Sequence, residues 1–505
     1  MLNEINKITL IILLLFGFII AEVKINAQDG SEDDRYGQSV ALSPDFLFIG
    51  ANRDFNNGIN SGSVYVYSYD ENMSVSFLQK LIPSDYSNDQ YFGKSISCSD
   101  NWLAVSAIYD DSNGIKSGAV YIFNYNGESW YEHSKIIAFD GESYDRFGYS
   151  LSINNDRLVV GAIYDDDNGE NSGSVYLYEF VNDNWIMNSK ISPDNLNEMD
   201  MFGISLSIYN DFLAIGSKQS YLSLEDAGSV SIYKFNNSNL SYIQTIVPDD
   251  VNVYDHFGSS ISLNQDILSI GSKYDDDNGV NSGSVYIYQL MDSHWSYYSK
   301  LTPSDGNVND NFGISLSIND NNWLAIGSID DDAGINSGSL YIYDNNFSEK
   351  IKIFASDGSQ NDEFSSSLFI NDQYLISGSK YDDDLGIDSG SAYLYKYKGC
   401  NDINACNYDS QILVSIDEEC VYADTNYNCD GTCLYDFDQC EVCGGEGNNG
   451  DANFDSTINV SDIIMIVGFI FNDNINLNIC TIDLNADQII NITDIILLIE
   501  NILSN

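Results

Sequence analysis

The sequence predicts a mostly β protein, a seven-bladed β-propeller, followed by a Cys-rich linker and a small α-helical module with EF-hand-like calcium loops. Three observations predict it. An aromatic-Gly pair recurs along most of the chain at a nearly constant interval. Each copy opens a run of short segments in which apolar and polar residues alternate. Two acidic twelve-residue loops, each running into an apolar helix, close the chain.

The chain has 505 residues, more than one ordinary domain requires. Hydrophobic residues make up 43% and aromatics 13%, so a large core can be buried. Lys and Arg total 20 against 76 Asp and Glu, a formal net charge of -56. That charge excludes nucleic acid and anionic lipid as partners, because no basic surface is available to neutralise phosphates. It favours solubility and attracts cations, calcium first among them.

The elements follow in order. Residues 1–21 read as an export signal: Lys7 precedes an apolar run from Ile8 to Ala21, too short to span a bilayer comfortably. Residues 1–27 are the alternative, with cleavage after Ala27. No later segment is long and apolar enough to span a membrane, so the mature protein is expected to be secreted or at the cell surface.

The propeller is expected over 22–398. The pairs are Tyr36-Gly37, Phe92-Gly93, Phe147-Gly148, Phe202-Gly203, Phe257-Gly258 and Phe312-Gly313, with Phe364-Ser365 as a seventh. The third copy shows the pattern. "FGYSLSI" places Phe147, Tyr149, Leu151 and Ile153 on one face, and "RLVVGA", "SVYLYEF" and "NWIMNSKI" follow. Four strands per repeat make a blade. Glycine and serine allow close approach where blades converge, and the Tyr-rich third strands (Tyr65, Tyr67, Tyr121, Tyr176, Tyr178, Tyr286, Tyr288) pack blade on blade. Blade seven ends at "SAYLYKYKG" without a fourth strand. "VKINAQDG" near the N-terminus matches "SKIIAFDG" at 134–141, so Val23–Ala27 is expected to complete blade seven, provided that the signal ends at Ala21.

The frame "DRFGYSLSINNDRLVVGAIYDDDNGENSGSVYLY" resembles the bacterial FG-GAP repeat, related to the propeller of integrin α-subunits. The resemblance implies extracellular recognition or adhesion. Integrin-type repeats carry a calcium cage between strands one and two. Here that turn is short ("NND", 154–156), so those sites are not carried over.

The acid lies instead in the loop between strands two and three, "YDDDNG" or close to it: Asp110 and Asp111; Asp165, Asp166 and Asp167; Asp275, Asp276 and Asp277; Asp330, Asp331 and Asp332; Asp382, Asp383 and Asp384. Blade one has only Asp54. The links from strand four to the next blade add Asp140 and Asp145, or Asp305 and Asp310. Strand alternation sends both sets to one end of the propeller, a candidate cation or ligand face. Asp, Asn and Gly also simply make good turns. Blade four departs with "KQSYLSLEDAG", including Lys218, Tyr221 and Glu225.

Residues 399–448 form a Cys-rich, disulfide-stapled linker. The candidate disulfide cysteines are Cys400, Cys406, Cys420, Cys429, Cys433, Cys440, Cys443 and Cys480, with pairings open; Cys98 stands alone. The Cys440–Cys443 spacing also suits zinc or redox chemistry, but no His lies nearby and no βαβ pattern surrounds it.

Residues 449–505 hold two copies of one loop. The first offers Asp451, Asn453, Asp455, the Thr457 carbonyl, Asn459 and Asp462; the second offers Asp483, Asn485, Asp487, the Ile489 carbonyl, Asn491 and Asp494. These are positions 1, 3, 5, 7, 9 and 12 of an EF-hand-type calcium loop. Two loop-helix units resemble a dockerin, which implies a cohesin-like partner. Position 6 is Ser456 and Gln488 rather than Gly, which strains the turn. Positions 10 and 11 are Val460-Ser461 and Ile492-Thr493 rather than Ser-Thr.

The function expected is calcium-dependent recognition or adhesion, the propeller binding an extracellular protein or polysaccharide and the C-terminal module docking. A polysaccharide-active enzyme is the alternative, but His133, His256 and His294 lie outside any motif and no carboxylate pair stands out. A structural matrix protein is the third reading.

Overall fold

The computed structural model describes residues 22–218, 225–236, 239–329, 334–424, 427–432, 434, 450–453, 455, 457–471, 479–485 and 487–504. The chain divides into two units, 1–398 with 411–414, and 399–410 with 415–505.

The first unit is the propeller. Its strands form seven four-stranded antiparallel sheets. Blade three consists of Phe147–Asn154, Arg157–Ala162, Ser174–Val181 and Asn184–Ile191, hydrogen-bonded in that order. The alternation in its first strand is interrupted by a bulge between Phe147 and Leu151. Gly148, at φ 94°, makes that bulge, and it turns Tyr149 out of the expected apolar row. In blade seven Ser365 does the same at φ 69°, and its hydroxyl bonds the Ser328 and Ser339 carbonyls.

The first strands of consecutive blades touch one another in a closed ring, which puts them around the axis. Six of the seven adjacent pairs are laced there by a seryl hydroxyl: Ser205 Oγ donates to Gly258 O at 2.6 Å, Ser260 Oγ to Gly313 O at 2.6 Å, and Ser367 Oγ to Gly37 O at 2.8 Å, with Ser39, Ser150 and Ser315 making the same bond. The Ser367 bond joins blade seven to blade one. The approach is close enough that a Cβ at Gly161 would strike the Gly203 carbonyl. Between blades the core is apolar. Ala104, Val120 and Ile122 of blade two meet Phe147, Leu158, Val160, Tyr176 and Tyr178 of blade three.

Glu22–Ile25 pairs with Ser391–Lys396 and is the outer strand of blade seven. The closure expected from sequence is therefore present. Residues 1–21, the signal segment, lie outside the described residues.

Between described residues the second unit holds the disulfides Cys400–Cys420 and Cys406–Cys429, which interleave along the chain. Cys480 is disulfide-bonded too. Cys433, Cys440 and Cys443 lie outside the described residues. Among the described residues three α-helices follow: α1 (Val460–Phe471), α2 (Ile479–Ile482) and α3 (Ile492–Ser504). Ile466, Ile482, Ile495 and Leu498 make their small core with Ala452. Among the described residues, no helix is long and apolar enough to cross a membrane.

Candidate functional site

The two-to-three loops and the blade-to-blade links emerge on one end of the propeller, as alternation of strand direction requires. They are sewn together there. Asp89 N donates to Ile59 O at 2.6 Å, Tyr144 N to Ile115 O at 2.7 Å, Met199 N to Glu170 O at 2.8 Å, Tyr254 N to Glu225 O at 3.0 Å, Asn309 N to Val280 O at 2.8 Å, Asn361 N to Ile335 O at 2.9 Å and Asp33 N to Ile387 O at 2.8 Å. Every blade contributes one bond, so the face is a continuous ring.

Within it the acidic residues have distinct positions. In blade three Asp165 is buried. Its Oδ2 accepts from Lys190 Nζ at 2.8 Å and from Tyr176 OH at 3.0 Å. The same ammonium reaches Asp140 of the link at 2.9 Å and Asp167 at 2.6 Å. The middle residue, Asp166, accepts the Asn171 N–H at 2.6 Å, a bond that shapes the turn. Burial opposes charge on Lys190, but the three carboxylates outweigh it and hold the ammonium above its ordinary value. Burial and these carboxylates push the Tyr176 phenol up as well.

The arrangement recurs. Lys135 joins Asp85 and Asp110; Lys300 joins Asp250, Asp275 and Asp277; Lys80 joins Asp29 and Asp54; Lys352 joins Asp305. In blade seven the lysine comes from the N-terminal strand: Lys24 bonds Asp357 at 2.6 Å, Asp382 at 2.9 Å and Asp384. Those three carboxylates lie close enough to hold a metal ion, and the Lys24 ammonium already stands among them. Asp111, Asp276 and Asp383 repeat the role of Asp166, accepting from Lys116 N, Asn281 N and Asp388 N. Asp330, Asp331 and Asp332 lie outside the described residues.

Blade four replaces the whole set. Ser231 stands where the other blades have Tyr, Thr245 where they have Lys, and Asn195 where the link has Asp. Ser231 Oγ and Thr245 Oγ1 bond each other at 3.1 Å. Beside them opens a cavity of about 380 Å³, with Thr245, Pro248, Asp250, Tyr288 and Tyr297 among its lining residues. Lys218 bonds Asp226 at 2.8 Å; Tyr221 lies outside the described residues.

Sequence reading by blades missed the centre of the face. The residues just before strand one and just after strand two vary from blade to blade, and many are basic or aromatic. Arg35 and Lys380 lie over the Tyr381 ring at 4.9 and 5.0 Å, Arg146 lies over Tyr164 at 4.5 Å, and Lys273 lies over Tyr274 at 5.0 Å. The signal was available as the positions at which a regular repeat varies. Outside this centre, Ile59, Ile115, Val280, Ile335 and Ile387 form more than half-exposed apolar loop tips.

A family profile described as FG-GAP repeat matches residues 20–67, 75–123, 130–178, 241–288, 295–343 and 347–395, together more than half of the chain. The chain belongs to the FG-GAP repeat family. Each FG-GAP match pairs one blade's fourth strand with the next blade's first three, and none falls on 179–240. That gap holds the first three strands of blade four, where the Asp–Lys–Tyr set is lost. No curated protein matches the chain. Solved structures similar to the chain include Sqt1 of Saccharomyces cerevisiae, at 11% identity over 74% of this chain and 84% of that one, with a TM-score of 0.41. A chain of a Mitotic Checkpoint Complex is 15% identical over 74% and 92%, with a TM-score of 0.44.

In the second unit the two acidic loops share one hydrogen-bond pattern. Asp462 and Asp494 are fully buried. Asp462 accepts from Ala452 N, Asn453 N and Asn459 N; Asp494 accepts from Leu484 N, Asn485 N and Asn491 N. Asp455 N donates to Asp451, and Asp487 N to Asp483. The Thr457 and Ile489 carbonyls accept from the Asn459 and Asn491 amides. Gln488 sits at φ 66°, the strained position-6 turn expected from its sequence. Ser456 lies outside the described residues. The donors are all oxygen, the set that calcium prefers. From residue 399 onward the chain contains no Lys, Arg or His. No side-chain cation exists in the second unit to balance these carboxylates, unlike those of the blades.

Proposed function

We propose that this FG-GAP protein is a secreted or cell-surface recognition protein, without catalytic activity, whose propeller binds an extracellular ligand on its loop face. The observation that carries the reading is the construction of that face. A closed ring of hydrogen bonds holds exposed apolar tips around a basic, aromatic centre, on an otherwise acidic molecule. Rigid elements display variable residues, as binding surfaces require. The disulfides fit an oxidising compartment. The histidines are dispersed: His133 packs on Trp102, and His256 on Tyr274.

The C-terminal module holds two calcium ions, one in Asp451–Asp462 and one in Asp483–Asp494. Its exposed Ile464, Phe471, Ile492, Ile496 and Leu503 offer an apolar surface for docking to a cohesin-like partner.

The test is retention of extracellular proteins and polysaccharides on the immobilised mature chain. Ile115→Asp combined with Ile387→Asp is expected to abolish retention while leaving the melting temperature intact. Undiminished retention by that variant sinks the loop-face reading.

A further inference from the structure

With 20 basic residues against 76 acids, any cation in this chain has carboxylates to spare. Six lysines sit in the blade clusters described above. At the centre of the face Arg53 bonds Asp33, Lys218 bonds Asp226 and Lys380 bonds Glu363. Lys94, Lys116, Arg146 and Lys273 differ. Among the described residues, none of the four has a carboxylate within ion-pair distance. Lys116 and Arg146 share the Tyr109 ring, at 4.5 and 5.1 Å, and Lys273 lies over Tyr274. Lys94 follows the bulge glycine of an innermost strand, Phe92–Ser99, and so stands at the mouth of the central channel that a ring of blades leaves on its axis.

These charges meet across the axis. Lys380 of blade seven opposes both Lys94 of blade two and Lys273 of blade five, and those blades are not neighbours in the ring. Burial, then Lys380 and Arg35, pull the Lys94 ammonium down to about 8. Burial, then Lys380 and Lys218, lower Lys273. Like charges gathered in a partly desolvated mouth repel unless something negative lies between them. Lys380, Lys218 and Arg35 have their own carboxylates, Glu363, Asp226 and Asp33, but no described carboxylate lies within ion-pair distance of Lys94 or Lys273.

We propose that the mouth of the axial channel, on the loop face, binds one compact anionic group, a carboxylate, sulfate or phosphate, carried on an otherwise neutral ligand. The surrounding acidic loops repel an extended polyanion, so the charge recognised is single and central. The exposed Ile59, Ile115, Val280, Ile335 and Ile387 suit the neutral body around it. The proposal deepens the recognition reading by naming the group recognised, and its test uses the anion alone, so its failure leaves that reading standing.

The experiment melts the full mature chain in chelator with sodium sulfate, phosphate or acetate, against sodium chloride at equal ionic strength. A bound anion at a hundred-fold excess over its Kd is expected to raise Tm by about 3 °C. Lys94→Gln with Lys273→Gln removes that rise and leaves only the general salt effect. Lys234→Gln, a cation over Phe212 on the third strand of blade four, keeps it. A response to sulfate and phosphate alone assigns a tetrahedral oxyanion; a response that includes acetate assigns a carboxylate. As a second readout on the unaltered chain, the anion protects Lys94 and Lys273, but not Lys234, from acetylation scored by mass spectrometry. A chain that responds to no anion beyond chloride, with labelling equally indifferent, overturns the proposal. So does a double variant that responds as the native chain does.

Discussion

Lys190 shows how single residues carry this fold. Its ammonium bonds three carboxylates, of which Asp165 is buried. Removing one partner of a buried pair leaves the other uncompensated, which costs more than the pair contributes. Lys190→Met is therefore expected to destabilise the chain by about 2–3 kcal/mol, discounted for the partial exposure of the lysine. The denaturant midpoint measures it. The acidic triplets were plain in the sequence, but their lysines were not. Lys190 is 25 residues from Asp165 and on a different strand, so only the pairing of strands three and four brings them together. The turn-forming role of Asp166 was legible, because an Asp before Asn-Gly bonds its own loop locally. The axial cations were hidden for the opposite reason: attention to what repeats passes over Arg146 and Lys273.

At the scale of elements, the N-terminal strand is the decisive one. Glu22–Ile25 supplies the fourth strand of blade seven, and each of its polar side chains is used. Lys24 fills that blade's cluster, while Glu22 accepts from Tyr395 OH at 2.9 Å and from Ser356 N at 3.2 Å. Glu349 makes the equivalent bonds to Ser304 from the fourth strand of blade six. The match of "VKINAQDG" to "SKIIAFDG" was readable because Lys24 and Asp29 stand where Lys135 and Asp140 do. A chain that begins at Glu22 is expected to keep the closed ring. One that begins at Gln28 loses the strand and the lysine, at about 5 kcal/mol or roughly 5 °C in Tm. Limited proteolysis then cuts first within Phe364–Lys396. Equal melting of the two chains contradicts the closure. The bulge after each aromatic-Gly pair was not legible, since the alternation of "FGYSLSI" is the same with or without it, and only packing at the axis decides.

For the whole molecule, charge sets the response to pH. Asp34, Asp145, Asp255 and Asp362 are buried beneath the loops. Burial, with help from the neighbouring Asp54, Asp165, Asp275 and Asp382, pushes each up to about 6. Between the ordinary carboxylate range and that value the folded chain holds more protons than the unfolded one, so stability falls as pH climbs through the window. Asp29, Asp110, Asp250, Asp305 and Asp357 shift the other way: burial opposes their charge, but hydrogen bonds from lysine and other donors outweigh it. Their contribution is present above the ordinary value and is lost as pH falls through their lowered ones. Melting in chelator is therefore expected to peak at roughly pH 4–5 and decline toward neutrality. A maximum at pH 7 or above contradicts the assignment.

The two units answer the same problem differently. In the blades the cation is built in, as a lysine on the fourth strand; in the C-terminal loops the proposed function has it come from solution. Counting bound calcium on the full mature chain by equilibrium dialysis tests this division most directly. The expected result is two ions, both lost in Asp462→Asn with Asp494→Asn, and both retained when Asp165, Asp275 and Asp382 are each changed to Asn. Additional ions that vanish with the blade aspartates, or two ions that survive in the Asp462→Asn, Asp494→Asn variant, would contradict it.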